Sequence, residues 1–287
     1  MTRSGSGWAS RPLPEAALSR PASVDELLAR ASRTLRTAGC ESPRLDAELL
    51  LGTVLRATRA RLRLDAAAVP DATVAGRFEA LLARRVAREP IAYILGRRDF
   101  RRISLAVDRR VLIPRPETEL LVEVGTELAA GARVVDVGTG SGAVALALKD
   151  ERPDLRLSGI DCDADALAVA RENASRLRLD VRFVQADLLD GASYDAILAN
   201  LPYVAHGYEL PPDVERYEPR SALIGGEDGL DLVRRLVARA RGVPLIALEV
   251  GFDQASAVCE LLRRSGCSSV ERLHDLAGYE RVVLGRR

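Results

Sequence analysis

Lysine is almost missing from this chain: Lys149 is the single one among 42 basic residues. Histidine occurs only at His206 and His274, methionine and tryptophan once each, and aromatic residues make up 4%. These shortages exclude several classes of chemistry. Four cysteines, Cys40, Cys162, Cys259 and Cys267, contain no Cys-x-x-Cys pair. Neither a zinc site nor a disulfide framework is indicated, no metal is expected, and reduced cytosolic thiols are the ordinary reading. No Ser-His-Asp arrangement is apparent. No run of about 18 or more apolar residues occurs, so a membrane span is not expected. Basic and acidic residues nearly cancel, 42 against 41. A nucleic-acid enzyme usually carries a basic excess, so stable nucleic-acid binding is not expected.

What is present describes an ordinary globular protein. Apolar residues make up 47% and charged residues 29%. A chain of 287 residues suits one large domain and one small one. Residues 1–20 hold Ser, Gly, Pro, Trp8 and three arginines but no continuous apolar core. They read as a disordered tail rather than a signal peptide. The protein is expected to be cytoplasmic and monomeric.

Residues 21–89 read as a small helical bundle. Ser23 can cap a helix carrying Val24, Leu27, Leu28 and Ala31 on one face. Leu45 to Leu55 and Phe78 to Val86 repeat that spacing. Residues 90–116 change character: Ile103, Leu105 and Val107 alternate with polar residues, which predicts a β-hairpin connector. From residue 117 to 287, strand-like and helix-like segments alternate. That pattern specifies a doubly wound α/β fold, a Rossmann-like, mostly parallel sheet of seven strands. Only a short turn, Asp275 to Gly278, separates the last two strands, so they must pair as an antiparallel hairpin. Such an ending distinguishes methyltransferases from dehydrogenases.

The chemistry-bearing residues fall at strand ends. Gly138-Thr139-Gly140-Ser141-Gly142 follows the first strand of this domain and opens a helix. Its glycines permit a sharp turn and close ligand approach. Asp136, two residues earlier, would repel a pyrophosphate but can receive the amino group of a methionine moiety. Asp161 ends the second strand and suits ribose hydroxyls. Asp187 follows the third and can meet an adenine amino group, with Leu188 placed to cover the adenine face. The expected cofactor is S-adenosylmethionine. After the fourth strand comes Asn200-Leu201-Pro202-Tyr203. The Asn200 side-chain oxygen and the Leu201 carbonyl can accept the two N–H bonds of a planar nitrogen. Pro202 stiffens the turn and Tyr203 can lie against the planar group. These four residues are the expected catalytic set. Arg115 and Glu117, in the proline-restricted segment Pro114 to Glu119, are expected to bound the substrate pocket. A long loop, 205–229, is expected to shape the acceptor site.

Over about residues 22–287 the chain resembles the release-factor glutamine methyltransferases of HemK/PrmC type. The resemblance rests on Glu89-Pro90-Ile91-Ala92-Tyr93-Ile94-Leu95-Gly96, Val111 to Glu119, Asp136 to Gly142, the Asn200 loop, and Gly225-Gly226-Glu227-Asp228-Gly229-Leu230. It implies N5-methylation of the glutamine in the Gly-Gly-Gln motif of peptide chain release factors. It also implies that the helical domain helps engage the release factor. The family usually carries Asn-Pro-Pro-Tyr; here Leu201 replaces the first proline and keeps its carbonyl. Some relatives carry an aromatic residue where this chain has Leu188. Two other enzymes would share the reaction loop: a glutamine methyltransferase acting on a ribosomal protein, and an adenine-N6 nucleic-acid methyltransferase. The second would need basic and aromatic residues to hold a flipped base, which this composition lacks. A non-enzymatic nucleotide-binding module would not need Asn200 and Tyr203 beside the cofactor loop.

Overall fold

A computed structural model describes residues 21–287. The expected tail, 1–20, lies outside the described residues. Two compact units divide between Ala87 and Arg88.

Among the described residues the first unit holds four helices: α1 (Val24–Thr37), α2 (Pro43–Leu55), α3 (Arg59–Leu64) and α4 (Ala72–Val86). Helix α1 starts with a capping box. Ser23 Oγ accepts from the Glu26 N–H at 3.3 Å, and the Ser23 N–H donates to Glu26 Oε2 at 2.7 Å. The 3.6-residue spacing then brings Leu27, Leu28, Ala31 and Leu35 onto one buried face. They form a core with Leu50 and Leu51 of α2 and Phe78 and Leu82 of α4, each large side chain contributing about 1.5–3 kcal/mol. Inside this core Arg85 Nε donates to Asp46 Oδ2 at 2.7 Å, with both side chains nearly out of solvent.

The second unit begins with α5 (Ile91–Leu95) and a hairpin of β1 (Arg97–Phe100) and β2 (Ile103–Ala106). Gly96, at φ 68°, closes α5 and lets the chain turn into β1. Tyr93 Oη donates to the Val111 carbonyl at 2.5 Å, tying α5 to the segment that leads into the site. A single 3-10 turn, Pro116–Thr118, precedes α6 (Glu119–Thr126). Then follow β3 (Arg133–Val137), α7 (Ala143–Glu151), β4 (Arg156–Asp161), α8 (Ala164–Leu177), β5 (Arg182–Gln185) and β6 (Ala196–Ala199). After α9 (Pro212–Tyr217) come α10 (Asp231–Arg239), β7 (Leu245–Glu249), α11 (Ala255–Arg264), β8 (Ser269–His274) and β9 (Glu280–Arg286). The expected long loop 205–229 therefore contains a six-residue helix and a 3-10 turn. Pro212 supplies the fixed φ favoured in a first helical turn.

The sheet runs β5-β4-β3-β6-β7-β9-β8. Its first five strands are parallel, and β9 and β8 form the antiparallel end. Alternate residues face opposite sides. Val134, Leu157, Leu198 and Ala247 pack on one side with α7 and α8; Val135, Val137, Ile197 and Ile246 pack on the other with α10 and α11. The crossovers run one way from β3 to β5 and the other from β6 to β7. The crevice at the carboxyl ends of β3 and β6 is therefore the switch point where such sheets bind ligands. Asn173 of α8, fully buried, clamps the hairpin there. Its Oδ1 accepts from the Ala106 N–H at 2.7 Å, and its Nδ2 donates to the carbonyls of Ala106 and Ser141, both at 3.0 Å. Among the described residues no helix is long and apolar enough to cross a membrane.

Candidate active site

The loop after β3 is locked to β4. The Gly138 and Thr139 N–H groups both donate to the Ile160 carbonyl, at 2.8 and 3.0 Å, and the Gly140 N–H donates to Asp161 Oδ2 at 2.9 Å. Gly138 and Gly140 hold positive φ, 73° and 52°. A Cβ at Gly138 would sit 3.1 Å from Leu201 Cδ2, so this glycine lets the cofactor loop close against the Asn200 loop. Gly142 plays a different part. It turns away from both cofactor-side cavities, and its Cβ would strike Leu146 and Phe183.

Two cavities flank this loop. The smaller, about 50 Å³, is lined by Asp136, Gly138, Thr139, Gly140, Ser141 and Thr118 among others. Asp136 is buried, and its Oδ2 accepts from Thr139 Oγ1 at 2.6 Å and the Ala145 N–H at 3.2 Å. Burial pushes its carboxyl up to about 6. The larger, about 120 Å³, runs between Asp161 and the segment Ala186-Asp187-Leu188. Asp161 accepts backbone N–H groups on both oxygens, from Gly140 and from Asp163 at 3.0 Å, and burial raises its carboxyl too. Leu188 is buried at φ 70° on the wall of this cavity. Asp187 also lines it, but its Oδ2 is ion-paired with Arg235 and Arg239 of α10.

A third cavity, about 320 Å³, opens on the far side of Asn200. Its walls include Tyr203, Val204, Leu223, Phe252 and Arg281. Asn200 and Leu112 line all three spaces, so the Asn200 side chain stands where the two cofactor-side cavities meet the third. Asn200 Nδ2 donates to Thr118 Oγ1 at 3.0 Å. The loop backbone is braced from behind. A Cβ at Gly225 would lie 2.2 Å from the Pro202 carbonyl oxygen, so only glycine fits. Gln254 Nε2 donates to the Tyr203 carbonyl at 2.9 Å while its Oε1 accepts from the Gly251 N–H at 2.9 Å. Burial pushes the Tyr203 phenol up to about 12, so it stays neutral even at alkaline pH.

Arg115 lines the third cavity and the smallest one. Its Nη2 donates to Glu218 Oε1 at 2.6 Å, and the other oxygen of that buried carboxylate accepts the Ile113 N–H at 3.1 Å. Glu117 is half-buried and lines none of the three cavities. His206 is exposed and lines none either. Thr118, Leu112, Glu218 and Gln254 were not singled out by sequence reasoning. Thr118 and Leu112 lie in the segment that resembles the family, and that is the one signal that could have found them.

Comparison with known proteins decides the family. A release factor glutamine methyltransferase from Moorella thermoacetica is 42% identical over 279 residues, covering 91% of this chain and 98% of the relative. The chain belongs to the release factor glutamine methyltransferase family. The Vibrio cholerae member is 38% identical over 278 residues, covering 92% of this chain and 96% of its own length. The Pseudomonas aeruginosa member is 42% identical over 256 residues, covering 85% and 93%. Residues 26–96 match the PrmC N-terminal domain model, and residues 116–214 the methyltransferase small domain model. The fold is also that of the hMettl16 catalytic domain, solved in complex with MAT2A 3'UTR hairpin 6. That match has a TM-score of 0.56 at 18% identity, over 72% of this chain and 81% of the other. A methyltransferase from Pyrococcus furiosus matches with a TM-score of 0.50 at 17% identity, over 72% and 96%. The resemblance read from the sequence is thus borne out, as are the α/β fold with its antiparallel hairpin and the identity as a methyltransferase. Among the described residues no group of three or more His, Cys, Asp or Glu is placed to hold a metal ion.

Proposed function

We propose that this methyltransferase transfers the methyl group of S-adenosylmethionine to the side-chain amide nitrogen, N5, of the glutamine in the Gly-Gly-Gln motif of peptide chain release factors. The observation that carries this reading is the position of Asn200. It stands at the junction of the three cavities, with its Nδ2 engaged by Thr118 and its Oδ1 therefore available as an acceptor.

The residues fit the cofactor. The smallest cavity is lined by the Asp136 carboxylate, which suits an ammonium; both bonds to that side chain fall on Oδ2, so Oδ1 is the oxygen offered to the ligand. Asp161 has lone pairs to spare for ribose hydroxyls even while it braces the loop. Leu188, Ile160 and Ala186 give apolar surface for adenine, and Asp187 offers the adenine amino group an acceptor while Arg235 and Arg239 hold its Oδ2. Bound there, the cofactor supplies a methyl group on a positively charged sulfur, an electrophile that needs no metal.

The chain's own residues then position the acceptor. An amide nitrogen is a weak nucleophile because its lone pair is delocalised. Asn200 Oδ1 and the Leu201 carbonyl accept its two N–H bonds, which restores electron density to the nitrogen and fixes it in line with the methyl group. Tyr203, a neutral phenol, lies on the cavity wall against the planar group. Arg115 borders the same space, rigidly held by Glu218. The helical unit matches the family's N-terminal domain, which supports a part in engaging the release factor. A release-factor substrate places the enzyme in the cytoplasm.

The test offers labelled S-adenosylmethionine with purified release factors, ribosomal protein and DNA. Label in release factor that vanishes when the Gly-Gly-Gln glutamine is changed supports the reading. Label in ribosomal protein or DNA alone sinks it. Asn200→Ala should lower turnover by about 100- to 1000-fold while cofactor binding largely survives.

A further inference from the structure

Among the described residues of the second unit, four large apolar side chains are exposed: Tyr208, Phe252, Leu276 and Tyr279. Apolar residues scattered singly over a surface need no explanation, but a cluster marks an interaction site. These four gather at the cavity beyond Asn200. Tyr208 and Phe252, 59% and 60% exposed, stand on its wall. Leu276 and Tyr279 belong to the turn between β8 and β9. Directly after β7 ends at Glu249, the Val250 N–H donates to the Arg281 carbonyl at 2.9 Å. Strand β9 runs antiparallel to β7, and β7 parallel to β6. The turn before β9 therefore leaves the sheet at the same edge as the Asn200 loop. Arg281 itself lines the cavity.

One carboxylate builds this turn and fixes it to the cavity wall. Asp275 Oδ1 accepts from the Ala277 and Tyr279 N–H groups at 2.9 and 3.0 Å. Its Oδ2 accepts from Arg281 Nε and Nη2, both at 3.2 Å. Arg281 Nη1 donates to the Val250 carbonyl at 3.3 Å. The turn presents Leu276 where turns ordinarily carry Gly, Asn, Asp or Ser. Leu276 is fully exposed, so the fold gains no burial from an apolar side chain there.

We propose that Tyr208, Phe252, Leu276 and Tyr279 form the surface on which the folded body of the release factor seats, beyond the Gly-Gly-Gln segment itself. The proposal rests on the reading of the cavity beside Asn200 as the acceptor site. A glutamine side chain is short, so the main chain that carries it must come to the cavity mouth. The protein surface on either side of that chain then lies over this rim. Charge selects the class of partner. The cavity wall holds two arginines, Arg115 and Arg281, and two aspartates, Asp228 and Asp253. Both arginines are ion-paired, with Glu218 and with Asp275. Among the described residues of this wall, a phosphate backbone meets no unpaired cation, which is what nucleic-acid binding requires. An apolar, uncharged protein surface fits it. The outer pair, Leu276 and Tyr279, supplies affinity for the whole protein and takes no part in the reaction.

The test compares two acceptors at saturating S-adenosylmethionine: an intact release factor and a short synthetic peptide containing Gly-Gly-Gln. The double variant Leu276→Ser, Tyr279→Ser should raise KM for the intact factor by about tenfold. Its kcat, its KM for the peptide and its cofactor affinity should each stay within about twofold, which also reports an intact fold and site. Should the peptide be too poor an acceptor, its inhibition constant against the intact factor takes the place of its KM. Phe252→Ala, on the cavity wall, should raise KM for both acceptors. An unchanged KM for the intact factor in the double variant overturns the proposal. So does an equal rise for both acceptors, which would make the turn part of the cavity and not a separate docking surface. Sedimentation tests for a second copy of the chain. A wild-type dimer that becomes monomeric in the double variant, with KM for the factor unchanged, assigns the rim to self-association and overturns the proposal as well. Failure of the functional reading looks different: wild type then labels neither acceptor, and the partner named here falls with it.

Discussion

Gly229 lies directly against the carbonyl of Tyr203: a Cβ built on it would come within 2.1 Å of that oxygen and 2.6 Å of Gln254 Nε2. Gln254 Nε2 is the group that donates to the same Tyr203 oxygen. Gly229 also sits at φ 79°, where any side chain is strained. Gly229→Ala should therefore displace the Tyr203 backbone, cost about 2 kcal/mol or more of stability, and lower turnover more than cofactor affinity. Gly207 offers the control. Its φ is 82° but nothing lies within 4 Å of its Cβ position, so Gly207→Ala should cost only about 1 kcal/mol of backbone strain and keep its rate. Thermal melts and steady-state kinetics on the two variants check this; equal losses would show that backbone strain alone accounts for the glycine.

Asp136 links pH to cofactor binding. Burial raises its carboxyl from an ordinary 3.8 to about 6. The raised value means that folding favours the protonated form. The advantage is complete below about pH 4 and is lost as pH rises through about 6, above which the buried charge costs the fold on the order of 3 kcal/mol. A ligand ammonium recovers that cost, but only from the ionised form. Affinity for S-adenosylmethionine should thus fall about tenfold per pH unit below about 6, with proton release on binding near that pH. Asp161, raised by burial as well, adds a contribution of the same sign. Asp136→Asn isolates the larger share: the ligand-free protein should melt no lower at pH 8, while affinity drops by about tenfold or more. Calorimetry in buffers of different ionisation enthalpy measures both, and undiminished affinity would remove Asp136 from the site.

Arg115 should be needed for the fold as well as the site. Its guanidinium neutralises Glu218, whose side chain is 1% exposed. Arg115→Ala strands that charge and should destabilise the protein by about 3 kcal/mol. Adding Glu218→Gln should recover much of the loss, because an amide can be buried without a counter-charge. Denaturant unfolding of the single and double variants gives the coupling; strict additivity would show that the pair does not interact. Arg115→Lys should recover part of the loss, since the contact with Glu218 uses one donor, Nη2, and not a bidentate fork.

How much of this was legible in the sequence depends on how far apart the interacting residues lie. The strands from Arg133 to Ala199 were readable because each is a short, largely apolar run closed by a glycine, an acid or an amide. Asp136, Gly138, Asp161 and Asn200 were readable because a doubly wound sheet brings all strand ends to one edge. The partners of those residues were not. Thr118 meets Asn200 across 82 residues, Arg235 meets Asp187 across 48, and Arg115 meets Glu218 across 103. Glu218 and Glu249 look like any other surface acids in one dimension, since nothing local records that the fold buries them. Helix α9 was read as loop because its six residues hold only one aliphatic side chain, Val214, too few to show a period.

Leu201 separates what the second position of the reaction loop supplies from what a proline there would add. Its side chain is 4% exposed, lines the larger cofactor-side cavity, and packs beside Val137 and Leu248 in the core. Leu201→Ala removes that packing and should cost about 2–4 kcal/mol, leaving the carbonyl in place. Turnover per folded molecule should then stay within about threefold of wild type, as no transition-state contact is lost. Leu201→Pro also keeps the carbonyl, fixes φ and gives up the aliphatic contact with the glycine loop. It should lower the melting temperature yet hold kcat within the same about threefold range. Turnover at saturating substrate, normalised to folded enzyme by cofactor titration, decides the matter. A tenfold or greater gain in Leu201→Pro would mean that rigidity, and not the carbonyl alone, is what this position contributes to the reaction.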